Sequence, residues 1–374
     1  MTDSMNSTTY TNARLVTPSG VVENGWLRVA GGRVDALGEG PAEGRDLDGA
    51  WVLPGFVDLH VHGGGGHSAL ASRDAIREAI AFHRTHGTTS TLVSLVTSPL
   101  DRMAEAAGWI ADLTEEGLVL GGHLEGPFLA HSRCGAQDPD ALRAPDRAEL
   151  GRLLDAGRGT IRQVTIAPEL VNTNGDTGLD LIRDLVARGV VAAIGHTDAT
   201  YEQARAGIEA GARLVTHVFN GMRGLHHREP GPLLAAGEHP DVVLEVINDG
   251  VHLDDAVVRM LDRLAPRRLA LITDAIDATG IGDGDYLLGA MHVRVKDGQA
   301  RLIENGSLAG STLTMDAAVR RAVNDVGLPI ETASHYASAV PARVLGLTDR
   351  GTLTPGARAD LVFLDDGLRV IEVP

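Results

Sequence analysis

The chain has 374 residues, 43% of them hydrophobic and 22% charged, enough apolar material for a large core and too little charge bias for disorder. Lys and Arg number 33 against 50 Asp and Glu, and the net charge of -17 argues against nucleic acid or an anionic membrane as partner, although one basic pocket can still hold a phosphate. A lone cysteine, Cys134, excludes an intrachain disulfide and a cysteine-rich zinc site and suits a reducing cytoplasm.

In chain order, the opening MTDSMNSTTYTNARL has no basic segment leading into an apolar one, so no leader is expected. No apolar run approaches the roughly 20 residues of a membrane span, and a soluble cytoplasmic protein is expected. Up to Pro54 the pattern is short strands with glycine turns, Gly31-Gly32 suiting a hairpin. Beyond it, apolar β-rich runs alternate with amphipathic helical ones. The runs at 51–62, 88–97, 118–126, 161–169, 190–197, 214–220, 242–249 and 269–275 read as strands. Helical stretches at 72–87, 100–117, 177–189, 200–212 and 254–266 lie between them, several opening on Ser, Thr or Asp and closing near Gly or Pro. After an irregular insert around 286–302, residues 314–327 read as a last helix. Eight β-then-α units predict an α/β fold, a (β/α)8 TIM-like barrel over 55–346. The two ends, 1–54 and 347–374, return to short strands and are expected to build a small β-sandwich domain together. An open doubly wound sheet would carry a glycine-rich phosphate loop after its first strand. Here the histidines of HVHGGGGHS precede the glycines, which favours the barrel.

Active sites of such barrels lie at the C-terminal ends of the strands. The first strand ends in His60-Val61-His62, and side chains at i and i+2 on a strand share a face, so both imidazoles can aim at one metal. Further polar strand ends are His123 and Glu125, His196, His217 and Asp274. Imidazole and carboxylate together suit Zn2+, Fe2+ or a similar divalent ion, which would acidify water and polarise an amide carbonyl. A lone strand-end histidine is more often structural, and His123 is assigned that role; the full set is hard to reach by chance. Asp274 is the expected acid/base. It could instead cap a helix, but the following AIDATG does not read as one.

These residues resemble the amidohydrolase superfamily, and more closely its N-acetylglucosamine-6-phosphate deacetylases. PGFVDLHVHG is superfamily-level; HLEGP, GHTDA, THVFNGM, REPG, Thr273–Ala275 and LAGSTLTM together are far more specific, and the likeness spans nearly the whole chain. The resemblance implies that Glu125, His196 and His217 hold the principal metal and that His60 and His62 bind a second, with Glu125 bridging. One or two divalent ions per subunit are expected, zinc first, with Fe2+, Mn2+ or Co2+ as alternatives. Asp274 matches the family's acid/base. Ala136, Gln137, Asn220, Gly221 and Leu308 match sugar contacts, Gln137 standing where many relatives carry His. Arg228 and His252, in REPG and DGVH with Asp249, match the phosphate end. Arginine suits phosphate through its planar two-bond fork, and the resemblance places Arg228 in a neighbouring subunit's site of a homodimer. Without the resemblance Arg228 reads as a solvated loop cation, and Cys134 as a loop thiol.

The expected reaction is hydrolysis of the acetamide of N-acetylglucosamine 6-phosphate to glucosamine 6-phosphate and acetate. Hydantoinase-like relatives place a carboxylated lysine between their metals, whereas Lys296, the only lysine here, lies far from the strand ends. An N-acyl-D-amino-acid deacylase is the alternative enzyme; a non-catalytic scaffold would have lost ligands that this chain retains.

Overall fold

The computed structural model describes residues 7–374. The first six residues, where the leaderless start and the small β domain were read to begin, lie outside the described residues. The barrel strands are β1 (Phe56–Asp58), β2 (Thr88–Val96), β3 (Gly121–Glu125), β4 (Ile161–Ile166), β5 (Val191–Ile194), β6 (Leu214–Val215), β7 (Val243–Ile247) and β8 (Leu269–Ile272). All are parallel, and each pairs with the next in sequence. Beyond the ladder, β8 meets β1 through a bridge between Val61 and Ala275 and through the Asp274 amide donating to the His60 carbonyl at 2.8 Å. The Thr273 hydroxyl also donates to the buried Asp58 carboxylate at 2.6 Å. The closure is therefore made by the segments that carry His60, His62 and Asp274.

The helices follow their strands as α1 (Arg73–Thr85), α2 (Leu100–Glu115), α3 (Arg147–Ala156), α4 (Gly178–Ala187), α5 (Tyr201–Glu209), α6 (Gly231–Glu238), α7 (Asp255–Leu264) and α8 (Met315–Asn324). Side-chain caps start five of them: Ser72, Asp146, Thr177, Thr200 and Asp254 each accept from a main-chain N–H of the first turn. Their buried faces, among them Ile76, Met103, Leu181, Ile208 and Leu261, pack on Leu92, Val164, Ile194, Leu244 and Leu271 of the strands. Each such side chain contributes roughly 1.5–3 kcal/mol by leaving water. Helices α3 and α6 were not among the stretches named from sequence. The α6 segment GPLLAAGE offers no polar face, because six of its eight residues are buried.

Two readings need correcting. The run 51–62 is not one strand. Trp51–Pro54 pairs with the chain termini and the barrel begins at Phe56, the break falling at Gly55, where a Cβ would collide with Thr89. Nor is the insert irregular: Gly284–Leu288, Met291–Lys296 and Gln299–Leu302 form a three-stranded antiparallel sheet. Its alternating Val293, Val295, Ala300 and Leu302 pack on Val96, Ala136 and Ile276, so it stands beside the strand ends. The terminal segments Ser7–Thr17, Gly20–Ala30, Arg33–Glu39, Arg45–Asp46, Trp51–Pro54, Leu361–Leu364 and Val370–Glu372 share one seven-stranded sheet with its own apolar cluster, including Tyr10, Leu15, Leu27, Val52 and Phe363. Among the described residues no helix is long and apolar enough to cross a membrane.

Candidate active site

At the C-terminal ends of the strands, two buried groups of three offer ligand atoms within 4.8 Å of one another: His60, His62 and Asp274, and Glu125, His196 and His217. In the second, Nε2 of His196 and of His217 each lie 3.0 Å from Glu125 Oε1 and 3.1 Å from each other. In the first, Nε2 of His60 and of His62 are 3.0 Å apart, and Asp274 Oδ1 is 3.2 Å from His62 and 3.5 Å from His60. Glu125 Oε2 is 3.2 Å from His62 Nε2, so this one carboxylate faces both groups. The chain reaches these positions under strain: His196 (φ 44°), His217 (φ 26°) and Asp274 (φ 50°) are non-glycine residues in the left-handed region, at about 1–3 kcal/mol each. Gly221 makes room beside them, since a Cβ there would press on the His196 ring.

The donor chemistry fits divalent ions. The Nδ1 of His62 lies 3.2 Å from the Ser94 carbonyl, that of His196 2.9 Å from the Arg133 carbonyl, and that of His60 3.3 Å from the Glu245 carboxylate. With Nδ1 donating, each Nε2 presents a lone pair to the centre. Neutral imidazoles would then meet lone pair to lone pair at 3.0 Å, an arrangement that a cation relieves. Protons can stand in for it. Burial by itself would lower the basicity of His60 and His62, but the Asp274 and Glu125 carboxylates outweigh it and raise both. Burial likewise favours neutral Glu125 and Asp274, and the facing histidines outweigh it and hold both below the ordinary carboxylate range. His123 behaves differently. Burial, and then the proximity of His60, depress it well below normal, and its ring nitrogens bond Ser94 Oγ at 2.9 Å and Thr165 Oγ1 at 2.8 Å. It is a structural neighbour of the site, edge-on to His60.

A cavity of about 320 Å³ opens over the two groups. His62, Glu125, His196, His217 and Asp274 line it together with Ala136, Gln137, Asn220, Gly221, His252 and Leu308. Gln137 also reaches the two groups, donating to Glu125 Oε2 at 2.6 Å while its oxygen accepts from the Thr97 amide at 2.7 Å. Asp249 and Arg228 do not line the cavity. Asp249 sits behind His252, its Oδ2 2.7 Å from Nδ1, and Arg228 is exposed, 2.7 Å from His227 Nε2. Sequence reasoning passed over Asp58, Gln163 and Glu245. Asp58 is fully buried beneath His60, and burial pushes its carboxyl up to about 7 against the hydrogen bonds of Thr273. Glu245 was visible in principle, as the one charged residue in the apolar run VVLEVI.

Residues 51–372 match the model of the Amidohydrolase family. The chain is 38% identical over 366 residues to the N-acetylgalactosamine-6-phosphate deacetylase of Escherichia coli O157:H7, covering 96% of each. It is 36% identical to the N-acetylglucosamine-6-phosphate deacetylase of Vibrio furnissii, over 90% of this chain and 82% of that one. Among solved structures it superposes on the N-acetyl-D-glucosamine-6-phosphate deacetylase of Mycobacterium smegmatis, a single-site mutant in complex with N-acetyl-D-glucosamine-6-phosphate. The TM-score is 0.94 at 46% identity, over 99% of this chain and 98% of that one. The chain belongs to the amidohydrolase family and, within it, to the N-acetylglucosamine-6-phosphate deacetylases.

Proposed function

We propose that this protein is an enzyme that hydrolyses the acetamide of N-acetyl-D-glucosamine 6-phosphate to D-glucosamine 6-phosphate and acetate. The observation that carries the reading is the pair of buried His/carboxylate groups facing one another across Glu125 at the floor of the cavity. Glu125, His196 and His217 would hold one divalent ion and His60, His62 and Asp274 a second, with zinc as the proposed metal. A bound ion supplies Lewis acidity and an acidified water. Asp274 stays ionised beside the two histidines and so is a base that can take a proton and return it to the departing amine nitrogen. Gln137 fixes the second oxygen of Glu125 and keeps that carboxylate turned toward both groups.

In this reading Asn220, Gly221, Ala136 and Leu308 flank the sugar, and His252, steadied by Asp249, faces the phosphate end. Arg228, exposed and outside the lining, reaches the phosphate in a second copy's site, so the working unit is a homodimer. We assign 55–346 to the catalytic barrel, 1–54 with 347–374 to the small β domain, and the cytoplasm as the compartment.

The test is amine release by enzyme of defined metal content from three substrates: N-acetylglucosamine 6-phosphate, its unphosphorylated form and N-acetylgalactosamine 6-phosphate. Metal-dependent turnover of the glucosamine phosphoester above the other two supports the reading. Preference for the galactosamine ester, the substrate in the name of one relative, would move the assignment to the C4 epimer. Turnover of none by fully metallated protein would overturn it.

A further inference from the structure

Glu245 lies in the middle of β7, wholly buried among Val243, Leu244, Val246 and Ile247, and belongs to neither ligand group. A carboxylate taken that far from water costs several kcal/mol, and an apolar residue of similar size would pack there without that penalty. Its contacts give it a use. Oε2 stands 3.3 Å from Nδ1 of His60 and 3.4 Å from the main-chain nitrogen of His217, so it touches one member of each group. Oε1 accepts from Gln163 Nε2 at 2.9 Å, which fixes the carboxylate's rotation. The support behind the other ligand rings is weaker: His62 and His196 have neutral main-chain carbonyls at Nδ1, and His217 Nδ1 is buried with no partner. Among these four rings, His60 alone has a carboxylate at Nδ1.

We propose that Glu245 is the positioning residue that makes His60, His62 and Asp274 an ion site. By accepting the Nδ1 proton it selects the His60 tautomer whose Nε2 lone pair faces His62 and Asp274, and its charge makes that nitrogen a stronger donor. Gln163 holds the carboxylate at the angle this requires, and His123, edge-on at 4.5 Å between ring centroids, bounds the ring on another side. The inference rests on the two-ion reading above.

The experiment strips the enzyme with a chelator and titrates back Zn2+ against a chromophoric competitor, for wild type, Glu245→Gln and Gln163→Met, with circular dichroism as the fold control. Expected are two equivalents in wild type. In Glu245→Gln the first is retained with unchanged affinity and the second weakens about 10- to 100-fold, with a smaller selective loss in Gln163→Met. A folded Glu245→Gln that binds both equivalents as wild type does, or loses both alike, overturns the positioning role alone. A wild type that takes only one equivalent at saturating Zn2+ overturns the two-ion reading and this role with it. If Glu245→Gln does not fold, Gln163→Met decides, and an unweakened second equivalent there overturns the proposal.

Discussion

At the C-terminal ends of the barrel strands, four histidines and two carboxylates are buried within hydrogen-bonding reach of one another. The sheet built from the chain termini buries Tyr10, Leu15, Leu27, Val52 and Phe363 and no charged side chain. The sheet's burial is favourable in itself, because apolar surface leaves water. The strand ends gain nothing comparable: their residues are desolvated, and three sit at left-handed φ. The surrounding barrel must hold them there, and a bound cation or compensating protons must offset the charge. The lesson is that changes at the strand ends should alter chemistry with modest effects on folding, while changes in the terminal sheet should do the reverse.

Asp274→Asn tests the first half most severely. It keeps the shape of the side chain and removes the proposed base, so kcat should fall about 10²- to 10⁴-fold. The thermal midpoint should move little, and a large drop in it would break the contrast. Phe363→Ala is its counterpart in the terminal sheet. Phe363 is fully buried and edge-on to Tyr10 at 5.0 Å, so denaturant titration should show a loss of about 3–5 kcal/mol. Turnover per folded molecule should stay unchanged.

His83 sharpens the contrast from within the barrel, as a buried histidine that has no carboxylate bonded to it. Its Nε2 lies 2.9 Å from the Gly63 carbonyl, and burial lowers its pKa from 6.5 to about 4. Because the folded value is depressed, the unfolded chain takes the proton first as pH falls. The stability linked to this group is therefore complete above pH 6.5 and declines as pH falls through about 4, by about 3 kcal/mol in all. Urea titrations from pH 7 to pH 4 should show this decline in wild type and a correspondingly smaller one in His83→Met. Equal declines would remove His83 from the account. The smallest effect expected is that of Arg228→Ala. With the side chain exposed, stability should not change, while KM for the phosphorylated sugar should rise about tenfold with kcat nearly constant, the loss of one charged hydrogen bond. An unchanged KM in steady-state assays would remove Arg228 from the phosphate site.

The candidate metal ligands were legible because the barrel puts polar side chains where apolar runs end, and His60-Val61-His62, Glu125, His196, His217 and Asp274 all stand at such ends. The antiparallel insert was passed over although Val293, Val295, Ala300 and Leu302 alternate with exposed neighbours, a period-2 signal interrupted by the turn at Asp297-Gly298. Helix α6 carried no such signal, because a helix buried on most sides has no polar face to set a period. The change of pattern after Pro54 marked the start of the barrel, but not that Gly55 splits the run 51–62 into two strands, since the close approach there involves Thr89, a residue 34 positions away.

By itself, then, the sequence determined the eight strand runs and their order, six of the eight helices and the residues that end the strands, because periodicity and chain order are local properties. Only the tertiary structure decided that Gln137 steadies Glu125, that Asp249 stands behind His252 and that Glu245 and Gln163 stand behind His60. For Gln137, Gln163 and Glu245 the partners lie between 12 and 185 residues apart in sequence, and no local pattern records which buried hydrogen-bonding groups the closed barrel brings face to face.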